Sequence, residues 1–297
     1  MPAVSVSVAI ATCDRPHPLA RCLLALLGGT LLPDEILIVD QGSSGETAAR
    51  IKALPPAPIA IRYIPQPRHG LSASRNLALQ LFACDVLAVT DDDCLPSDDW
   101  IAAISASLAR HDGPAAVTGP VLPLGPAAQD QYAVSSREGM QVIDHCGQRP
   151  PWVVGTGANL AVRREWLATV GHYDVRLGVG SPGKAAEDMD YLYRLLRSGA
   201  CIRYEPKALI YHERQSRARQ LKSFFQYGYG MSAFCLLWMR RGDRYAVRML
   251  ANWTAGHGLG LGNAILRRQW DRACEAQAFL HGTFKGTFYG LRYSKLQ

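Results

Sequence analysis

The chain has 297 residues, 48% of them hydrophobic and 19% charged, a globular composition that excludes a disordered or collagen-like polymer. No apolar run reaches the length of a bilayer-spanning helix. The first residues, MPAVSVSVAIATCDRP, carry no basic segment and read as a strand and not a signal peptide. Charge is uneven. Residues 203–297 hold 16 Lys/Arg against 5 Asp/Glu, whereas residues 1–202 hold 16 against 20, which suggests two parts with different roles. The eight cysteines are scattered and form no CxxC pair, so neither a zinc site nor a disulfide framework is signalled and a reducing cytoplasm is expected.

Val4–Ala11 alternates and is rich in valine, which predicts a buried strand. Leu19–Leu27 has helical spacing, Glu35–Asp40 is a second strand, and a helix follows the turn QGSS through Leu54. A proline-rich loop, Leu54–Pro58, precedes a third strand at Ile59–Ile64. Gly70 opens a helix, LSASRNLALQLF, and Val86–Thr90 is the fourth strand. Strands alternating with helices of this length predict βαβ units, a mostly parallel sheet and right-handed crossovers. Beyond it, a helix is expected from Asp98 to about Arg110 and a strand near Ala116–Gly119, with an irregular excursion over 120–151. Short strands are expected at Trp152–Thr156 and Asn159–Val162, then a helix at Arg164–Val170 and a flexible loop, GVGSPG, at 178–183. An amphipathic helix at Ala186–Ser198 closes on Gly199, and strands follow at Ile202–Tyr204 and Ala208–Tyr211. After Glu213 the sequence turns basic, aromatic and helical.

The centre of the pattern is VLAVTDDDCLP, where an apolar strand ends in Asp91, Asp92 and Asp93. Three adjacent carboxylates repel one another and call for a cation. Hard oxygen ligands suit Mg²⁺ or Mn²⁺, which commonly bridge to substrate phosphates. A parallel sheet brings Thr12–Arg15, Asp40, Arg75 and Asp91–Asp93 to the edge where ligands bind in such folds. Each has a plainer alternative: an Asx-turn for Asp40, a helix N-cap for Asp14, a solvated helical face for Arg75. Glu187 and Asp188 start a helix, where the macrodipole favours carboxylates without any catalytic purpose. His212 ends a strand and could ligate a metal.

The segments VAIATCDRP, IVDQGSSG, HGLSASRNLAL, VTDDDCLPSDDW, GTGANLAVRREWLATVGHYDVRLGVG and AEDMDYLYRLLRSGA occur in the order seen in family 2 glycosyltransferases. The sequence resembles that family over about residues 4–213. The resemblance implies a GT-A fold: Rossmann-like, a mostly parallel sheet flanked by helices, here over 1–214, with 215–297 as a C-terminal helical extension. It also implies an inverting, Mn²⁺- or Mg²⁺-dependent enzyme that moves a sugar from a UDP-, dTDP- or GDP-linked donor to a hydroxyl acceptor, lipid-linked acceptors included. Thr12, Asp14, Arg15 and Asp40 resemble the nucleoside contacts, Arg75 the diphosphate contact, and Asp91 and Asp92 further donor contacts. Asp91, Asp93 and His212 match the metal set, Trp152, Gly155, Thr156 and Glu187 the sugar and acceptor pocket, and Asp188 the catalytic base. The QxxRW element of processive members is absent at 215–219, which implies single additions. A nucleotidyltransferase and a non-catalytic sugar- or lipid-surface-binding protein are the alternatives.

In the extension, Phe224–Met239 is flanked by Arg217, Arg219, Lys222, Arg240, Arg241 and Arg244. This reads either as an interfacial helix on anionic lipid at the inner face of the plasma membrane or as a core-packing helix with snorkelling arginines. No nucleic-acid-binding module is recognisable, and no nucleic-acid partner is expected.

Overall fold

The computed structural model describes residues 4–110 and 113–292; the outermost residues of both expected segments lie outside it. Four parallel strands alternate with helices: β1 (Val6–Thr12), α1 (Pro16–Leu27), β2 (Glu35–Asp40), α2 (Glu46–Lys52), β3 (Ala60–Pro65), α3 (Leu71–Leu81) and β4 (Val86–Asp91). Their order is β3-β2-β1-β4, with Thr12 paired to Asp40 and Ala11 to Asp91, so these carboxyl ends share one edge. The near-continuous apolar runs arise because the sheet is covered on both faces. Val8, Ile10, Ile36, Ile38 and Ala88 pack with Leu19 and Leu23 of α1 and with Trp100 and Ile104. The alternate residues Ala9, Leu37, Val39, Leu87 and Val89 pack with Ala78 of α3 and Phe82.

The chain continues through β5 (Cys94–Pro96), α4 (Trp100–Leu108), β6 (Ala116–Thr118), β7 (Val121–Pro123), β8 (Ile143–His145), β9 (Leu160–Arg163), α5 (Arg164–Val170), α6 (Glu187–Arg197), β10 (Ile202–Tyr204) and β11 (Ile210–His212). The main sheet extends as β4-β9-β6-β10-β8, with β9 antiparallel to both neighbours, while β5-β11-β7 forms a second, small sheet. Two expectations are corrected. Residues 152–156 do not form a strand: Pro151–Val153 is a 3₁₀ turn, started by a proline that has no N–H to donate to a ladder. A disulfide joins Cys146 to Cys201. These cysteines flank β8 and β10, whose antiparallel register pairs His145 with Ile202, and at a separation of 55 residues no spacing rule could reveal them.

The extension is a three-helix unit, α7 (Arg217–Arg240), α8 (Arg244–Leu266) and α9 (Trp270–Arg292). α7 is the core-packing helix of the two readings: Met231, Ala233, Phe234, Cys235 and Leu237 are buried with Tyr193 of α6 and Met249 of α8. Its backbone lies so close to α9 that a Cβ on Gly282 would sit 2.0 Å from the carbonyl oxygen of Phe225. Only glycine permits that approach.

Candidate active site

The end of β1 and the aspartate triplet are bound to each other. Thr12 Oγ1 donates to Asp92 Oδ2 at 2.7 Å. Arg15 places Nη1 2.7 Å from Asp92 Oδ1 and Nη2 3.0 Å from Asp93 Oδ2. Asp91 turns the other way and meets Arg75 Nη2 at 3.0 Å. Two arginines therefore supply part of the positive charge that three adjacent carboxylates demand. Burial pushes Asp92 up to about 7 against the pull of Arg15. Asp93 is held below the ordinary carboxylate range despite its burial, chiefly by His212 and Arg15.

β11 carries His212 to the triplet because it pairs antiparallel with β5, opposite Cys94. His212 Nε2 lies 3.6 Å from Asp93 Oδ1, and its Nδ1 lies 2.8 Å from the carbonyl oxygen of Glu213. A carbonyl can only accept, so Nδ1 carries the hydrogen; in the neutral ring the Nε2 lone pair then faces a carboxylate oxygen. That is the orientation an outer carbonyl imposes on a metal-ligating histidine. Asp93, His212 and Cys94 bring ligand atoms within 4.8 Å of one another. Burial raises the Cys94 thiol well above its ordinary value, which leaves an oxygen–nitrogen pair suited to a hard or borderline divalent cation. The donor set fits a metal at Asp93 and His212. Asp91 stands apart from that cluster, on Arg75.

Arg75 organises the opposite side. It is buried and donates from Nη1 to Glu187 Oε1 at 2.9 Å and from Nη2 to the Gly157 carbonyl at 3.2 Å. Burial and the neighbouring Asp188 carboxylate raise Glu187 above its ordinary value, against the pull of Arg75. Asp188 lies in the first turn of α6 but does not cap it; the N-cap position is Ala186, in the left-handed region at φ 70°. Instead Asp188 Oδ2 accepts the Gly157 N–H at 2.8 Å, and Oδ1 accepts the N–H of Met189 at 2.8 Å. A Cβ on Gly157 would lie 2.6 Å from the Asp188 Cβ, so the close approach needs glycine there.

Two clefts meet over these groups. The first, of about 540 Å³, is walled by Thr12, Arg15 and Asp91–Asp93 on the sheet edge, with Lys184, Arg219 and Lys222 also lining it. The second, of about 400 Å³, holds Asp188, Glu187, Thr156 and Trp152, and is closed by Phe224, Tyr227, Trp253 and Phe279 of the extension. Asp91, His212 and Tyr227 line both. Three expected residues stand off these walls. Asp40 is 1% exposed and forms the Asx-turn, accepting the Gly42 N–H at 2.7 Å and the Tyr63 hydroxyl at 2.9 Å. Asp14 lies outside and accepts the Ser43 N–H at 2.9 Å. Gly155 packs against Thr118 behind the second cleft.

Gln41 reaches the wall next to Asp40 and folds the 66–70 loop over it. Its Nε2 donates to Gln66, the Gly70 carbonyl and Ser74, and its Oε1 accepts the N–H groups of His69 and Gly70. Sequence reading missed Lys184, Tyr227, Trp253 and Phe279, and gave Arg219 and Lys222 to the flank of a lipid-facing or core helix and not to this wall. The helical spacing of Arg219, Lys222 and Tyr227 on one face of α7 was the available signal.

The mostly parallel sheet flanked by helices, followed by a C-terminal helical region, is a GT-A fold. The chain belongs to glycosyl transferase family 2, whose profile matches residues 7–171, and it is a glycosyltransferase. It is 27% identical to the succinoglycan biosynthesis protein ExoM of Rhizobium meliloti over 71% of this chain and 68% of that protein. It is 26% identical to the pre-mycofactocin glycosyltransferase of Mycobacterium tuberculosis, over 72% of this chain but 44% of that one. Against the hyaluronan synthase of Pasteurella multocida, 24% identical, it spans only 24% of the relative's length. Among solved structures, the mannosyltransferase PcManGT of Pyrobaculum calidifontis, in complex with GDP-Man and Mn²⁺, matches 97% of this chain and 88% of its own. Its TM-score is 0.65 at 16% identity.

Proposed function

We propose that the chain transfers a single sugar, with inversion and with the help of a divalent cation, from a nucleoside-diphosphate sugar in the first cleft to an acceptor hydroxyl in the second. The observation that carries this reading is the meeting of the two clefts at Asp91 and His212, with Asp188 on the acceptor side. Thr12, Arg15 and the turn held by Asp14 and Asp40 form the nucleoside end, and Asp91 and Asp92 flank the diphosphate. Arg75 braces Asp91 and Glu187. Asp93 and His212 hold the cation, which when bound supplies Lewis-acid stabilisation of the departing diphosphate. The Asp188 carboxylate takes the proton of the acceptor hydroxyl. The freed oxygen bonds to the anomeric carbon as the carbon–oxygen bond to the diphosphate breaks on the opposite face. Glu187 and Trp152 position the acceptor. Neighbours solved with GDP-Man, or with UDP, GalNAc and Mn²⁺, support this choice of donor and ion.

The test is thermal unfolding with UDP, dTDP and GDP, each with and without Mn²⁺ or Mg²⁺. A ligand that binds the folded state stabilises it by about 2.7 kcal/mol at a hundred times its Kd. One nucleotide is expected to raise the melting temperature only with the metal, and Asp93→Asn is expected to abolish that rise. A metal-dependent shift of full size in the variant would remove Asp93 from the metal site.

We propose a membrane contact for the extension as well, at a different place from the one the sequence suggested. No helix among the described residues is long and apolar enough to cross a membrane. With α7 buried, exposed apolar side chains of the extension include Leu266 and Trp270 at the α8–α9 turn, 83% and 63% exposed, and Leu259 further back on α8, 71% exposed. Arg267, Arg268 and Arg272 are exposed in the same turn. Apolar side chains ringed by arginines suit the headgroup boundary of an anionic bilayer. Sedimentation with phosphatidylglycerol vesicles is expected to weaken with salt and to be lost in Leu266→Glu/Trp270→Glu. Equal pelleting of that variant would sink the assignment.

A further inference from the structure

The second cleft contains a cation that the proposed chemistry does not use. Arg137 lies in the 120–151 excursion, and its backbone is pinned from both sides. Its N–H donates to the Val121 carbonyl at 2.8 Å, and its carbonyl accepts the Val121 N–H at 3.0 Å. Ser135 beside it adopts φ 55°, a left-handed conformation costly for a residue with a side chain. Its hydroxyl lies 3.0 Å from the Tyr227 hydroxyl, which ties the excursion to α7. This bracing holds the Arg137 side chain on the wall of the cleft, together with Ser135 and Ser136.

The guanidinium makes no hydrogen bond or ion pair with the described residues. Burial lowers its affinity for the proton, with the weaker pull of Tyr204 and Asp188 in opposition. The two arginines nearest the aspartate triplet are, by contrast, paired: Arg15 with Asp92 and Asp93, and Arg75 with Asp91 and Glu187. Asp188, the carboxylate that faces Arg137 electrostatically, already accepts two N–H groups. A half-buried guanidinium in a cleft with no carboxylate of the described residues on it is available to an anion from a ligand. The rest of the wall is aromatic. Trp152 meets Trp253 edge-to-face at 5.4 Å between centroids, and Phe279 lies 5.7 Å from Trp253. Such surfaces suit the apolar face of a ring.

We propose that the acceptor of this enzyme is anionic: a ring bearing hydroxyl groups, stacked on the aromatic wall, with a carboxylate or a phosphate ester paired to Arg137. The inference rests on the second cleft being the acceptor side, and it adds the charge class of the acceptor. A guanidinium binds either anion by two parallel N–H···O bonds, so the shared chemistry is a planar or tetrahedral oxyanion. Its source is for experiment to separate.

The experiment is calorimetric titration of the full chain with three probes: phenyl glucoside, phenyl glucuronide and phenyl glucoside carrying a phosphate ester. At least one anionic probe is expected to bind about tenfold or more tightly than the neutral one, the size expected for a hydrogen-bonded charge. The stronger of the two identifies the carboxylate or the phosphate. Arg137→Gln is expected to erase the preference, and Arg137→Lys to keep part of it. Metal-dependent stabilisation by the nucleoside diphosphate is expected to be unchanged in both variants, which reads the donor cleft separately. If that stabilisation is missing from the wild-type chain, the donor reading fails while the Arg137 result still stands or falls alone. Equal binding of neutral and anionic probes, no binding of either anionic probe, or a preference that survives Arg137→Gln each overturns the proposal.

Discussion

Asp188→Asn is expected to lower turnover by about 10²-fold or more while leaving the affinity for nucleoside diphosphate nearly unchanged. The substitution is a close geometric replacement. An amide oxygen can still accept the Gly157 N–H that Asp188 Oδ2 now accepts at 2.8 Å, so the contact between α6 and the 155–159 segment survives. What is lost is the capacity to take a proton from a hydroxyl. The plainer role for Asp188, a carboxylate favoured by the helix N-terminus, is worth about 0.3–1 kcal/mol and predicts a stable, fully active Asn variant. Steady-state rates with donor and acceptor both varied separate the two. Glu187→Gln serves as the comparison, expected to raise the acceptor KM more than it lowers turnover, because Glu187 is buried against Arg75. An Asp188→Asn enzyme at wild-type turnover would reduce Asp188 to the holder of Gly157.

The second large effect is on stability. Arg75→Met is expected to cost roughly 3–5 kcal/mol, the range for removing one partner of a buried ion pair. Arg75 side-chain exposure is 3%, and its loss strands Glu187, whose side chain is 7% exposed, together with Asp91 and the Gly157 carbonyl. Glu187 is already pushed toward its neutral form by burial, so it can escape part of the penalty by taking up a proton. Arg75→Met/Glu187→Gln is therefore expected to recover a share of the loss. Urea denaturation of the two single variants and the double variant measures the coupling. A cost for Arg75→Met below about 1 kcal/mol, the scale of an exposed pair, would show that the network does not hold the two clefts together.

What could be read locally was read from burial. β1, β2 and β4 are near-continuous apolar runs because helices cover both faces, so their limits and their parallel arrangement were visible as valine- and isoleucine-rich runs between turns. Asp91–Asp93 stood out because no turn needs three carboxylates. The same logic failed at Trp152–Thr156, where apolar content suggested a strand and Pro151 imposed a 3₁₀ turn. It left two readings open for Phe224–Met239, since an aromatic helix with flanking arginines looks alike on a membrane and in a core.

The sequence by itself therefore determined the four-strand parallel core, the sheet edge at which Thr12, Asp40 and Asp91 come together, and the family. Each depends on periodicity or on motifs a few residues long. The tertiary structure alone decided the rest. β5 and β11 are three residues each, too short to carry a signal, and only their pairing sets His212 beside Asp93. Arg15 pairs with Asp92 and Asp93 far along the chain, and the Asx-turn of Asp40, one of the two readings open in the sequence, is fixed by the Tyr63 hydroxyl of β3. The disulfide, the aromatic wall from α7, α8 and α9, and Arg137 on that wall follow from non-local packing. Local propensity carries no record of such contacts, since their energy exists only when segments far apart in the chain are brought together.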